Sequence, residues 1–449
     1  MSRDAIDPLA PLRGLFALER VDAQGVLYLD GNSLGPLPKT TIHRMADVVE
    51  QEWGVGLIRS WNTAGWITLS QRVADKIARL VGVGPGELVV ADSTSVNLYK
   101  VLDAALAMAS PHSAESSRAP GRRRILSERT DFPSDLYIAD TFARAHKLEL
   151  TLVSAEDIGE QLDNRVAILL LTHVNYRTGR RHDMPSVTRA AHDTGAIVVW
   201  NLAHSAGAMP IDLYARGATN DGKMRGGATG MNVAAKIADA ADFAIGCGYK
   251  YLNGGPGAPA FAWAHPRHTA AMDREGWRQP LSGWFGHAAP FDFSADYRPA
   301  GGMARFRCGT PPVLSLAALE CGVDTVLAAD EHGGLAAIRE KSVALTELFI
   351  ARVESRCAGH DLTLVSPRDP TQRGSQVSFA HPTAGYAIMQ ALIARGVIGD
   401  FRAPDVLRFG VAPLYTRFVD VWDAADRLHQ VFATGEWRAP RFHVRTAVT

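Results

Sequence analysis

Short apolar runs alternate with helically patterned stretches between about residues 65 and 310, the clearest being 87–91, 166–172, 196–200, 242–246 and 258–264. Runs that are apolar throughout lack the in/out alternation of a half-exposed sheet. They predict buried parallel strands covered by helices, an α/β layer architecture. Before them lie turn residues (Asp30-Gly31-Asn32, Pro36, Pro38) and an amphipathic helix pattern over 40–53. After them a helical run from 313 leads to Asp330, followed by an α+β segment with alternating stretches at 376–379 and 406–411. The pattern predicts a large domain over 61–312 and a smaller α+β domain over 313–449, against which residues 1–60 pack. Two stretches read as loops, 110–123 and 215–236.

Composition narrows the function classes. Of 449 residues, 47% are hydrophobic and 21% charged, as in ordinary globular proteins. Lys plus Arg and Asp plus Glu both number 47, so no field of one sign exists to steer nucleic acid or an anionic membrane. No apolar segment approaches the ~20 residues that span a bilayer, and the first thirty residues do not resemble a signal peptide. Cys247, Cys308, Cys321 and Cys357 form no CxxC pair and suggest no disulfide framework. A cytoplasmic protein without nucleic-acid or membrane partners, and without a metal site, is the expectation.

Among eight lysines, seven stand in polar or helical contexts that suit a solvated ammonium. Lys250 differs: it follows the run 242–246, lies between Tyr249 and Tyr251, and precedes Asn253-Gly254-Gly255-Pro256-Gly257. Burial at a strand end lowers an ammonium's pKa and makes it a usable nucleophile toward carbonyls; a strand-end lysine reaching solvent is the bland alternative. Ahead of the helical pattern 98–108 stand Asp92-Ser93-Thr94-Ser95, where helix N-terminal N–H groups and the Thr94 and Ser95 hydroxyls could hold a phosphate or simply cap the helix. The segment Asn201-Leu202-Ala203-His204 follows another buried run, so Asn201 and His204 fall at the carboxyl edge of the sheet, where ligands of open α/β sheets sit.

Longer blocks carry a resemblance. Gly246-Cys247-Gly248-Tyr249-Lys250-Tyr251-Leu252-Asn253-Gly254-Gly255-Pro256-Gly257 resembles the cofactor-lysine signature of the kynureninases. Leu29-Asp30-Gly31-Asn32-Ser33-Leu34-Gly35, Phe132-Pro133-Ser134-Asp135 and His173-Val174-Asn175-Tyr176-Arg177-Thr178-Gly179 are similar to further blocks of that family. So are Gly283-Trp284-Phe285-Gly286-His287 and Arg307-Cys308-Gly309-Thr310-Pro311-Pro312, and the match runs in order from about 27 to 420. The resemblance implies the fold-type I architecture of pyridoxal 5'-phosphate (PLP) enzymes, a homodimer with active sites at its interface, and hydrolysis of L-kynurenine to anthranilate and L-alanine. By the same resemblance Lys250 carries the cofactor, Thr94, Ser95 and Tyr249 hold its phosphate, and Trp284 and Thr310 arrive from the partner subunit. Phe132 stacks on the ring, while Asp135, Thr172, Asn201 and His204 contact its polar edge. Lys250 and Tyr249 are then the proton-transfer residues, Arg408 grips the substrate carboxylate through a bidentate fork, and Asn32, Trp61 and Gly309 line the substrate.

The chain departs from that pattern twice. Asn201 stands where the family normally has an aspartate that keeps the pyridine nitrogen protonated. The stretch 217–236 has no family counterpart and reads as a tolerated surface insertion, with a flap over the site as the alternative reading. Trp61 and Gly309 are similar to the bacterial pattern that prefers kynurenine over 3-hydroxykynurenine. Two other readings stay open: a different fold-type I activity, such as a cysteine desulfurase with Cys308 as its nearest, poorly placed nucleophile, and a PLP-binding protein whose turnover Asn201 has impaired or redirected.

Overall fold

The computed structural model describes residues 3–109, 121–216 and 239–445. The insertion predicted at 217–236 lies outside them, as does most of the loop predicted at 110–123. Seven strands form the central sheet: β1 (Leu88–Val90), β2 (Arg124–Glu128), β3 (Glu149–Val153), β4 (Val166–Thr172), β5 (Ile197–Asn201), β6 (Phe243–Gly246) and β7 (Phe261–Ala264). Their order is β1-β7-β6-β5-β4-β2-β3. Pairings from β3 through to β6 are parallel, whereas β7 pairs antiparallel with both β6 and β1. The sheet is mostly parallel, as expected, and the run 258–264 is the antiparallel exception, because a run buried on both faces is equally apolar in either direction.

Both faces of β4 and β5 are apolar, as the uninterrupted runs require. Leu169, Leu171, Val198 and Trp200 point into one core, with the helices Trp66–Leu80 and Val313–Leu327. Ile168, Leu170 and Val199 point into the other, with the helices Thr94–Ala109 and Pro133–Ala145. A third core lies under a four-stranded antiparallel sheet ordered Asp400–Arg402, Val406–Gly410, Gln376–Ala380, Thr363–Leu364. The N-terminal segment divides between cores: Leu9, Leu12, Phe16 and Leu18 pack into the first, while Leu27 and Leu29 pack into the third, where Leu27–Tyr28 pairs with Val397–Ile398.

Two helices differ from the sequence pattern. The helix expected over 40–53 is α-helical only at Lys39–Asp47 and continues as a π-helix, Val48–Gly56. The run to Asp330 is α-helical at Val313–Leu327 and tightens into a 3₁₀ turn, Ala328–His332. Among the described residues no helix is long and apolar enough to cross a membrane, and no cluster of ligating side chains could hold a metal ion.

Candidate active site

The parallel strands deliver their C-terminal residues to one edge. Thr172 ends β4 and Asn201 ends β5, next to each other across the ladder. Phe132, just beyond β2, precedes the helix Pro133–Ala145, which carries Asp135 in its first turn. Thr94 and Ser95 open the helix that follows β1. Lys250 sits not on β6 itself but in the turn four residues past its end.

Glycines let two chain segments close on that turn. A Cβ on Gly35 would lie 2.7 Å from the Lys250 carbonyl oxygen, so Gly35 can donate its N–H to Tyr249 O at 2.8 Å. Gly207, at φ +83, turns the loop after β5 so closely that a Cβ would stand 2.8 Å from Tyr251 O. These contacts hold the N-terminal block and the His204 loop against the lysine.

The Lys250 Nζ lies 2.8 Å from His204 Nε2, 5.9 Å from the centroid of the Phe132 ring and 5.7 Å from that of Tyr249. Burial lowers the Lys250 pKa; Cys247 and Asp135 oppose the shift and the Arg408 and Arg402 charges reinforce it. His204 is held well below the ordinary histidine range by burial, with Lys250, Arg408 and Arg402 adding to the shift, so its ring stays neutral. Burial likewise raises the Tyr249 phenol, which keeps its proton at neutral pH. An amine with a depressed pKa beside a neutral imidazole is a nucleophile and base in waiting.

Asn201 does more than occupy a strand end. Its Nδ2 donates to Asp135 Oδ2 at 2.6 Å and its Oδ1 accepts from Ala203 N at 2.9 Å. Burial pushes the Asp135 carboxyl up to about 6, against the pull of the Asn201 hydrogen bond and the Lys250 charge. Nearby Asp131, which accepts from Thr172 N at 3.2 Å, is raised further by burial and by Glu128 and Asp135.

Arg408 is 1% exposed and lies opposite Asp400 across the small sheet. Its Nη2 donates to Asp400 and to Ser33 Oγ (2.6 Å), and its Nη1 donates to Tyr176 O at 2.9 Å. The open bidentate fork expected of Arg408 is thus partly closed: Nη2 is committed inside the protein, and an incoming carboxylate has to join through Nη1 or displace Ser33. The Asn32 amide lies beside the same cluster, 3.2 Å from Asp30 Oδ1 and from Arg408 Nε, and its Nδ2 donates to Gln376 Oε1 at 3.0 Å.

Four predicted site residues stay apart from this group. Trp61 and Trp284 form an edge-to-face pair at 6.2 Å beside a cavity of about 610 Å³ shared with exposed Ile58, Phe291 and Phe293. Gly309 and Thr310 are exposed. Among the described residues no hydrogen bond, ion pair or ring contact links these four to Lys250. Cys308 is engaged elsewhere, 3.9 Å from Lys100 Nζ and 3.5 Å from Gln279 Nε2.

Lys100 itself corrects the expectation that the other lysines are solvated. It is fully buried, paired with Asp92 at 2.7 Å and donating to Phe306 O at 2.6 Å; Lys341 is also buried and pairs with Asp7 at 2.7 Å. Sequence reading also missed Asp30, Ser33, Asp400 and Arg402. Asp400 and Arg402 alternate along a short strand, where Asp400 is buried and Arg402 half-buried.

Several features of the site fit a flat, phosphate-bearing aromatic aldehyde. Among the described residues, Thr172 Oγ1 and His204 Nδ1 are buried polar atoms without a hydrogen-bond partner, and such atoms call for a ligand. The Phe132 ring is 40% exposed over the amine, and hydroxyl residues open a helix at the same edge.

Known proteins agree with that fit. Residues 338–428 match the family model "Kynureninase C-terminal domain", and residues 27–221 match "Aminotransferase class-V". The chain is 51% identical to a kynureninase of Burkholderia pseudomallei (strain K96243), covering 100% of this chain and 98% of that one. It belongs to the kynureninase family. A kynureninase of Pseudomonas fluorescens is 48% identical over the same shares. Solved structures show the shared fold at greater distance. A cysteine desulfurase from Thermococcus onnurineus NA1 superposes with a TM-score of 0.70 at 17% identity, covering 94% of this chain and 98% of that one. A C-DES mutant with glycine covalently linked to its PLP cofactor superposes with a TM-score of 0.71 at 16% identity, covering 93% and 98%. The α/β architecture of fold-type I PLP enzymes, read first from the pattern of apolar runs and the family blocks, is the fold of this chain.

Proposed function

We propose that this chain hydrolyses the Cβ–Cγ bond of L-kynurenine to anthranilate and L-alanine, with PLP as its cofactor. The carrying observation is a buried amine of lowered pKa, Lys250, at 2.8 Å from a neutral His204 at the open strand edge of a chain 51% identical, end to end, to a kynureninase. When bound, PLP supplies the electron sink for the carbanions that this cleavage needs.

Thr94, Ser95 and Tyr249 would hold its phosphate, the first two with the helix start behind them. Phe132 would cover its ring, and Thr172, His204 and the Asn201–Asp135 pair would meet its polar edge. Lys250 would hold it through its amine and, as a free base, would take the proton from the substrate Cα. Tyr249, protonated at neutral pH, returns a proton to the product carbon. Arg408 binds the substrate carboxylate with Asn32 beside it, while Trp61 and Gly309 line the rest of the substrate. Anthranilate fluorescence appearing on addition of L-kynurenine tests the proposal. Sulfide release from cysteine without anthranilate overturns it in favour of a desulfurase.

The protein acts as a cytoplasmic homodimer in which Trp284 and Thr310 complete the partner's site. Exposed Ile58, Phe291 and Phe293 around Trp61 and Trp284, and a mostly apolar cavity of about 690 Å³ lined by Leu37, Met45, Pro256 and Leu314, support a surface that a second copy covers. Lys250→Ala and Trp284→Ala, each nearly inactive alone, should recover about a quarter of wild-type turnover when mixed and reassociated, since half the molecules are then mixed dimers with one intact site each. Absence of recovery, with mixed dimers demonstrated, counts against shared sites.

The substrate preference follows from the aryl end. A site built to hydrogen-bond a ring hydroxyl rejects the compound lacking it, and neither Trp61 nor Gly309 brings a side-chain acceptor for one. We expect kcat/KM for L-kynurenine to exceed that for 3-hydroxykynurenine by about tenfold. The reverse preference contradicts this.

A further inference from the structure

We infer that Asp30 is a positioning residue that sets how strongly Arg408 attracts a substrate carboxylate, carboxylate binding being coupled to proton uptake on Asp30. The inference rests on the reading of Arg408 as the carboxylate site. Two guanidinium groups converge on one acid there: Arg408 Nη2 and, at 2.5 Å, Arg402 Nη2 both reach Asp400 Oδ2. Asp30 Oδ1 lies 3.7 Å from the same Arg408 Nη2. Asp30 is held there by backbone: it bridges to Gly410, and Gly410 N donates to Leu29 O at 2.7 Å.

The charges add simply. Arg402 and Arg408 contribute two positive charges and Asp400 one negative, so the ionisation of Asp30 decides between a net charge of one and none. A substrate carboxylate entering beside ionised Asp30 makes a third acid on two guanidinium groups; entering beside protonated Asp30, it completes a neutral cluster. Burial raises the Asp30 carboxyl to about 6, Arg408 opposing and Asp400 assisting, so both states occur near neutral pH. The other titratable groups facing Asp30 are the phenols of Tyr28, Tyr251 and Tyr415. All three are raised by burial and remain neutral over the same range.

The test uses the holoenzyme and 4-oxo-4-phenylbutanoate, an aryl ketone with a carboxylate and no amine, so that no chemistry at the cofactor contributes. Calorimetry in buffers of different ionisation enthalpy reads both Kd and protons exchanged. For the wild type, Kd should rise about tenfold from pH 5.5 to 7.5, with net proton uptake on binding at the higher pH. Asp30→Asn should flatten that dependence, abolish the uptake and bind tighter than wild type at pH 7.5. Arg408→Gln should weaken binding at every pH. If Asp30→Asn keeps the wild-type slope and uptake while Arg408→Gln loses binding, the role of Asp30 is overturned and the carboxylate site stands. If Arg408→Gln binds as the wild type does, the carboxylate site itself is overturned. Should Asp30→Asn not fold, the wild type decides alone: a flat Kd without proton uptake overturns the inference.

Discussion

Lys250→Ala should lower kcat for L-kynurenine by at least about 10³-fold, since a positioned acid–base group alone contributes roughly 10²–10⁴. The reason is local. Burial keeps this amine's pKa low, and His204, itself neutral, offers a proton acceptor at 2.8 Å; alanine has no atom there to attach a cofactor or to accept a proton. Lys250→Arg should fail equally. A guanidinium restores the positive charge but stays protonated, and so separates the need for an amine from the need for a cation. Neither loss should come from unfolding. Truncating a buried lysine removes an expensive charge along with its contacts, and a melting temperature within a few degrees of wild type would show it. Full turnover by Lys250→Ala sinks the proposed chemistry.

The central residues of the site were legible because the fold concentrates them. Lys250, Asn201 and His204 each follow an uninterrupted apolar run, and parallel strands carry such positions to one edge. Longer-range geometry was not. β2 opens with Arg124, and β3 is half-buried at the sheet's edge, so neither shows the clean apolar stretch of β4. The direction of β7 leaves no mark in a sequence buried on both faces. Asp30 and Arg408 meet across hundreds of residues, and nothing local to either foretells the other. Lys100 stands in a helical context that suits a solvated ammonium, yet it is enclosed between Asp92, Phe306 and Cys308. Its charge is balanced by a partner eight residues back, a spacing that no helical pairing rule picks out.

Asp135→Asn should cost far more than any change at Asn201, although Asn201 is the residue that departs from the family. Asn201 carries no charge; its amide is committed to Ala203 N and to Asp135. The ionisable member of the pair is Asp135, and with its carboxyl at about 6 it is charged at pH 7.5. A hydrogen bond to a charged group is worth about 1.5–3 kcal/mol, so removing that charge should lower turnover by about 10- to 150-fold. The wild-type profile should also lose activity as pH falls through about 6, where Asp135 gains a proton, and that limb should vanish in Asp135→Asn. Asn201→Asp places a second carboxylate at hydrogen-bonding distance from the first. Two such acids share one proton, so the pair keeps the single negative charge of the wild type at neutral pH, and turnover at pH 7 should change by less than about threefold. The exchanged pair, Asp135→Asn with Asn201→Asp, moves the charge from the helix to the strand end and should restore most of what Asp135→Asn loses. If instead Asn201→Asp alone accelerates the reaction many-fold, Asp135 does not supply the charge, and the asparagine at position 201 is a handicap that this chain carries uncompensated.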